Sequence, residues 1–147
     1  MHPNVELMLS ALDLSASEDH TSEDLFTAPS IKMPHNRVYG GQVMAQSLVA
    51  AIRTVDSDRT AHSMHGYFLR PGDDTQSITF SVDRIHDGRS FSTRRTQAYQ
   101  NSVPIFSMIA SFQTADGGLD HYQPMPEGIT PPEDLPSPAE LLSLIHI

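Results

Sequence analysis

The chain has 147 residues, of which 38% are hydrophobic, 11 are proline and none is cysteine. This length suits one domain with its own core, and the lack of cysteine excludes a disulfide framework, a thiolate nucleophile and cysteine-based zinc sites. The formal net charge is −9, with all 9 Lys and Arg residues lying between Lys32 and Arg95, and an acidic chain without a basic stripe argues against non-specific nucleic-acid binding, which rests on neutralising phosphates.

In chain order, Val5, Met8, Leu9 and Leu12 fall at helical spacing and predict a short amphipathic surface helix. Glu6 and Asp13 sit in this segment, which lacks the basic start of a secretory leader. No apolar run nears the roughly 20 residues of a membrane span, so a cytoplasmic protein without membrane contact is expected. Residues 23–31 read as a strand around Leu25 and Phe26, and 34–37 as a loop.

From 42 to 55 the apolar residues Val43, Met44, Leu48, Val49, Ile52 and Val55 leave almost no polar face. That pattern predicts a helix buried all round. Gly40 and Gly41 stand at its start, where missing side chains allow close approach. Strands are then predicted over 61–69, 78–83, 90–100 and 103–112. The first ends at the turn composition Arg70-Pro71-Gly72-Asp73. Asp87-Gly88 is read as a two-residue hairpin turn, and a second turn is placed near Asn101-Ser102. In 90–100 the aromatic residues Phe91 and Tyr99 share a face; in 103–112 Phe106, Met108, Ala110 and Phe112 do. A helix followed by a meander of strands is an α+β arrangement, the helix needing the sheet to cover it.

Beyond Gln113 the character changes. Residues 114–140 hold six of the prolines and no apolar period, and read as a linker. Leu142-Ser143-Leu144-Ile145-His146-Ile147 matches the translation of a transposon-end sequencing adapter. On that reading the frame is interrupted near Leu141 and the chain is a fragment; the alternative is a genuine short amphipathic terminus. The expected organisation is a lobe over 1–115, a Pro-rich acidic linker over 116–141 and an adapter-derived end over 142–147.

Four blocks carry a resemblance: Tyr39-Gly40-Gly41-Gln42, His62-Ser63-Met64-His65-Gly66-Tyr67-Phe68-Leu69-Arg70-Pro71-Gly72, Asp87-Gly88-Arg89-Ser90-Phe91-Ser92-Thr93-Arg94-Arg95, and Ile109-Ala110-Ser111-Phe112-Gln113. In this order and spacing the chain resembles the N-terminal half of the type II acyl-CoA thioesterases. The resemblance implies a hot-dog fold, in which an antiparallel sheet wraps a central helix, and one lobe of a double hot dog. It implies hydrolysis of fatty acyl-CoA to free acid and coenzyme A, with no metal or organic cofactor. It also places the catalytic acid, hydroxyl and glutamine in a second repeat, so no catalytic residue is expected in this chain.

The residues are consistent with that expectation. Thioester hydrolysis needs a group to activate water and donors aimed at the oxyanion, and residues 42–55 contain no Asp or Glu. Backbone N–H groups near Gly41 and Gln42 are candidates to polarise a carbonyl; the competing role for Gly40-Gly41 is tight helix–strand packing. His62 is a candidate general base or pocket wall, against a structural role in which neighbouring backbone satisfies it. His62 and His65, three apart on a strand, are expected on opposite faces and make a poor metal pair. Ser63 and Ser90 show no nucleophilic triad.

Arg89, Arg94 and Arg95 are candidates for coenzyme A phosphates, against plain exposed strand charges. Tyr67 and Phe68 read as sheet core and acyl-pocket wall. The substrate-binding set is thus Gly41, Gln42, His62, Tyr67 and Arg89, with no metal ligands. Gly41 is expected to matter more to folding than Arg94. The alternative function is a non-catalytic single lobe that binds acyl-CoA or dimerises, and both readings expect a homo-oligomer because a lone lobe leaves a sheet edge uncovered.

Overall fold

The computed structural model describes residues 2–17 and 24–145. Two compact units follow one another, the first ending at Asp116 and the second beginning at Gly117. In the first unit the elements are α1 (Pro3–Ala11), β1 (Ser15–Ala16), β2 (Asp24–Ala28), α2 (Gly40–Ile52), β3 (Arg59–Phe68), β4 (Ile78–Asp87), β5 (Phe91–Gln100) and β6 (Val103–Thr114). The strands form one antiparallel sheet in the order β1-β2-β4-β5-β6-β3. One edge is the two-residue β1 and the other is the ten-residue β3.

The core lies between α2 and one sheet face. Phe106, Met108, Ala110 and Phe112 of β6 and Ile78, Phe80 and Val82 of β4 alternate inward and are fully buried, as a half-covered strand requires. Val43, Ala50 and Ala51 meet them from α2. The helix is not buried all round: Gln42, Val43, Gln46, Ser47, Ala50 and Ala51 form the covered stripe, while Ile52 is 45% exposed. A single sheet covers only one side of a helix, whatever the composition of the other side.

β5 departs from the simple pattern. Its inward residues are Ser92, Arg94, Thr96, Ala98 and Gln100, all buried, while Phe91 faces out and is exposed. Ser92, Arg94 and Gln100 find hydrogen-bond partners there, whereas the Thr96 hydroxyl is buried without one among the described residues. The Gln100 amide accepts from the Asp73 N–H at 2.8 Å and donates to the Asp73 and Gln76 carbonyls at 2.8 and 3.2 Å.

Asp87-Gly88 is not a two-residue hairpin turn. Asp87 still belongs to β4 and pairs with Ser92, and the Gly88 N–H donates to the Phe91 carbonyl at 2.8 Å, so the chain turns at Arg89 and Ser90. Asn101 and Ser102 do make a two-residue turn, both with positive φ (50° and 62°), the backbone that matches the twist of the flanking strands.

The second unit contains a short 3₁₀ turn, Pro132–Asp134, and a helix, α3 (Pro138–Ile145). Sequence periodicity assigned no helix here. Its start is a capping box: the Ser137 N–H donates to Glu140 Oε2 at 2.6 Å and the Glu140 N–H to Ser137 Oγ at 3.3 Å. The expected adapter-derived segment ends in residues 146 and 147, outside the described ones.

Candidate functional site

α2 begins abruptly. Its N-cap, Tyr39, makes no side-chain capping bond, and its first turn has no acid. Gln42 and Val43 donate back to the Tyr39 carbonyl at 3.0 and 3.3 Å, and among the described residues the N–H groups of Gly40 and Gly41 have no partner. A helix start in this state favours negative charge and carbonyl oxygen.

Two cavities flank the turn. One, of about 370 Å³, has Val43, Phe68 and Ile105 as its apolar wall and Arg37 and Arg70 among its lining. Arg70 donates to the Pro104 carbonyl at 2.9 Å, whereas the Arg37 side chain has no partner among the described residues. The other, of about 320 Å³, runs between α1 and α2 past Leu7, Met8, Ala11, Tyr39 and Ala45.

Gly40 and Gly41 make the turn thin. A Cβ on Gly40 would meet the Phe68 ring at 3.0 Å, and one on Gly41 the Tyr39 ring at 2.5 Å. Tyr39 is 64% exposed and its ring is free to swing, so Gly41 is not pinned by core packing. The glycine that lies against the core is Gly66, where a Cβ would reach the buried Phe106 ring at 2.6 Å and the Ser107 carbonyl at 3.1 Å.

Gln42 is fully engaged by protein. Its Oε1 accepts from the Ile31 N–H at 3.2 Å, and its Nε2 donates to the Pro29 carbonyl and to Gln46 Oε1, each at 3.3 Å. Gln46, wholly buried, donates to the Ala11 and Pro29 carbonyls at 2.8 and 3.2 Å. The two amides fasten α1 and the β2–α2 connection to the helix. Two glutamines four residues apart on one side of a largely apolar helix are a visible signal of this in the sequence.

The other named residues lie elsewhere. His62 falls at a β-bulge between Ala61 and Ser63, which sets two residues of one strand against one of its partner. It therefore shares the sheet face turned away from α2 with His65, not the opposite one: His62 Nε2 is 2.9 Å from Ser111 Oγ and its ring is edge-on to Phe91, while His65 is edge-on to Tyr67. His62 is exposed and its partner is a side chain, so the backbone-satisfied core role does not apply. Tyr67 is 65% exposed. Arg89 belongs to the β4–β5 loop, and its side chain has no partner among the described residues. The five thus occupy three places: the α2 start, the outer sheet face and the hairpin loop. Among the described residues no three metal-binding side chains cluster.

Arg94 and Arg95 face opposite sides, but Arg94 is no surface charge. It is 1% exposed and binds Thr54 Oγ1 at 2.8 Å, the Thr54 carbonyl at 2.9 Å, the His86 and Thr93 carbonyls at 3.1 and 3.0 Å, and Asp87 at 2.7 Å. All five guanidinium donors are used inside the protein.

The carboxylates that follow Gly72 are poor bases. Hydrogen bonds from Thr75 hold Asp73 below the ordinary carboxylate range, and the Met33 N–H followed by Lys32 does the same for Asp74. The open α2 start presents backbone N–H groups suited to a carbonyl oxygen, and among the described residues lining the two cavities beside it there is no Asp, Glu or His to activate water.

An antiparallel sheet curled on one central helix, with an open helix start beside the sheet edge, defines a hot-dog lobe. A family model described as the acyl-CoA thioesterase N-terminal domain matches residues 27–113, and the chain belongs to that family. It is similar to acyl-coenzyme A thioesterase 8 of Homo sapiens (42% identical over 114 residues, 77% of this chain and 35% of the relative). It is also similar to acyl-CoA thioesterase 2 of Haemophilus influenzae (39% over 110 residues, 75% and 38%). The crystal structure of the acyl-CoA thioesterase II TesB2 from Mycobacterium marinum superposes with a TM-score of 0.74 at 44% identity, covering 88% of this chain and 47% of that one. The chain spans about a third of the length of these curated relatives and about half of that structure.

Proposed function

We propose that the chain is the N-terminal lobe of an acyl-CoA thioesterase that hydrolyses fatty acyl-CoA to free fatty acid and coenzyme A, with the water-activating groups supplied by a second hot-dog lobe. The observation that carries this is the family match over 27–113, which takes in the open start of α2 and all of β3. Residues 1–115 form the lobe on this reading, and 116–141 connect it onward. Within the substrate-binding set, Gly41 offers its backbone N–H to the thioester oxygen and Gln42 holds the loop behind it. His62, Tyr67 and Arg89 are left to contacts outside the α2 start.

The reading places the protein in cytoplasmic fatty acid metabolism; among the described residues no helix is long and apolar enough to cross a membrane. Fusing this chain to the second lobe of the Mycobacterium marinum relative and following thiol release from palmitoyl-CoA tests the proposal. The chain has no cysteine, so a thiol reagent reads coenzyme A without background from this lobe. Turnover by the fusion and none by the chain alone is expected. A fusion that folds and stays inactive while the intact relative turns over would refute the assignment.

The alternative, a single lobe that pairs with its own copy and binds acyl-CoA without hydrolysis, draws support from β3, whose residues 61–68 are exposed throughout.

A further inference from the structure

The two cavities at the start of α2 differ in chemistry but share one turn of backbone. We propose that an acyl-CoA lies across this turn, its alkyl chain in the α1–α2 groove and its phosphate-bearing part at Arg37 and Arg70. This deepens the thioesterase reading and rests on it.

The groove suits an alkyl chain and little else. Leu7, Met8, Ala11, Ile31 and Ala45 line it. Of its two amides, Asn4 lies exposed to water at the rim, and Gln42 directs both its polar atoms to Pro29, Ile31 and Gln46. An alkyl chain entering here covers apolar surface without stranding a polar group. Leu7 and Met8, both 51% exposed, are the side chains it would cover.

The cavity across the turn has the complementary charge. Arg37 is unpartnered among the described residues and Arg70 spends one donor on Pro104, so two guanidinium groups are available to fork onto phosphate oxygens. Between the cavities stand Gly40 and Gly41, which contribute no side chain. A thioester crossing there would set its carbonyl oxygen against backbone N–H groups.

Calorimetric titration of the chain with two non-hydrolysable thioethers, S-hexadecyl-CoA and S-butyl-CoA, tests the arrangement. Ala45→Leu fills the groove with a good helix former, and Met8→Asp makes its exposed rim charged. Each is expected to weaken S-hexadecyl-CoA by about tenfold or more, a change of the size expected when a buried alkyl contact is lost, while leaving S-butyl-CoA within about threefold. Arg37→Ala with Arg70→Ala is expected to weaken both thioethers alike and to spare hexadecanoate, which separates phosphate from a carboxylate head. If Ala45→Leu does not fold, Met8→Asp alone decides. Tight binding that neither groove variant changes overturns the proposal, as does absence of binding to the chain. In either case, thiol release by the fusion described above judges the thioesterase reading separately.

Discussion

Arg94 joins three stretches of chain: the segment just after α2 through Thr54, the end of β4 through His86 and Asp87, and its own strand. Asp87 also accepts from Ser92 Oγ at 2.7 Å, and Ser92 Oγ in turn accepts from Arg59 at 2.9 Å. Truncating this buried guanidinium leaves the Thr54 hydroxyl and the Thr54, His86 and Thr93 carbonyls without their donor. Each buried unsatisfied group costs about 1–3 kcal/mol, while Asp87, 53% exposed at its side chain, is resolvated by water. Arg95, 52% exposed at its side chain, bonds Asp83 at 2.6 Å on the open face, where a pair contributes roughly 0–1 kcal/mol. Arg94→Ala is therefore expected to lower the chemical-denaturation midpoint severely and Arg95→Ala barely. Equal midpoints would show that the clamp is not holding the lobe together. The opposite order to Gly41 above Arg94 is therefore expected, because the Tyr39 ring over Gly41 is 64% exposed while Arg94 is 1% exposed and held by five hydrogen bonds.

At the scale of elements, the β3–β4 connection and the β4–β5 hairpin are both organised by carboxylates. Asp73 accepts from the Thr75 N–H and hydroxyl at 2.8 and 2.6 Å, Asp74 from the Met33 N–H at 2.6 Å and Lys32 at 2.9 Å, and Asp87 from Ser92 and Arg94. In each the folded-state pKa lies below its ordinary value, for Asp87 chiefly through Ser92 and then Arg94. The unfolded chain therefore takes up protons first as pH falls. The stabilisation is complete above the unfolded value of about 3.9 and is lost as pH drops through the lower folded values. Urea midpoints are expected to be flat from neutrality to about pH 5 and to fall below it, with Asp74→Asn flattening the acid limb. An unchanged acid limb in that variant would contradict the assignment.

The same elements show what a sequence discloses. α2 was legible from its nearly unbroken apolar run, β4 and β6 from apolar residues at alternate positions, and β3 and β5 from the turn composition at their ends. The buried face of β5 carried no apolar mark, because it is Ser92, Arg94, Thr96 and Gln100, and the partners of Arg94 and Gln100 come from as far as 40 and 27 residues away. The bulge that turns His62 toward Ser111 has no compositional mark, so the two histidines were assigned to opposite faces. Arg37 and Arg70 were missed as a pair since only the fold brings the α2 entry beside the end of β3.

For the whole molecule the ten-residue edge β3 is the proposed place of association. β1 at the other edge is two residues long, too short to template pairing, whereas a long open edge invites another strand. Light scattering of the eluting protein is expected to give a dimer mass. Met64→Lys with Tyr67→Lys, at positions 38% and 65% exposed, should give a monomer, each surface change altering stability by no more than about 0.5 kcal/mol. A monomeric parent protein would remove β3 from consideration as the contact.

The strand order also sets a schedule for synthesis. β3 is made before β4, β5 and β6, yet its sheet neighbour is β6, with Thr60 opposite Gln113. It cannot be zipped into place as it emerges, and must stay unpaired until the last strand of the sheet has left the ribosome. Distant pairings of this kind close late and expose strand edges meanwhile, so the edge proposed for association in the finished lobe also stands open while β4, β5 and β6 are being made.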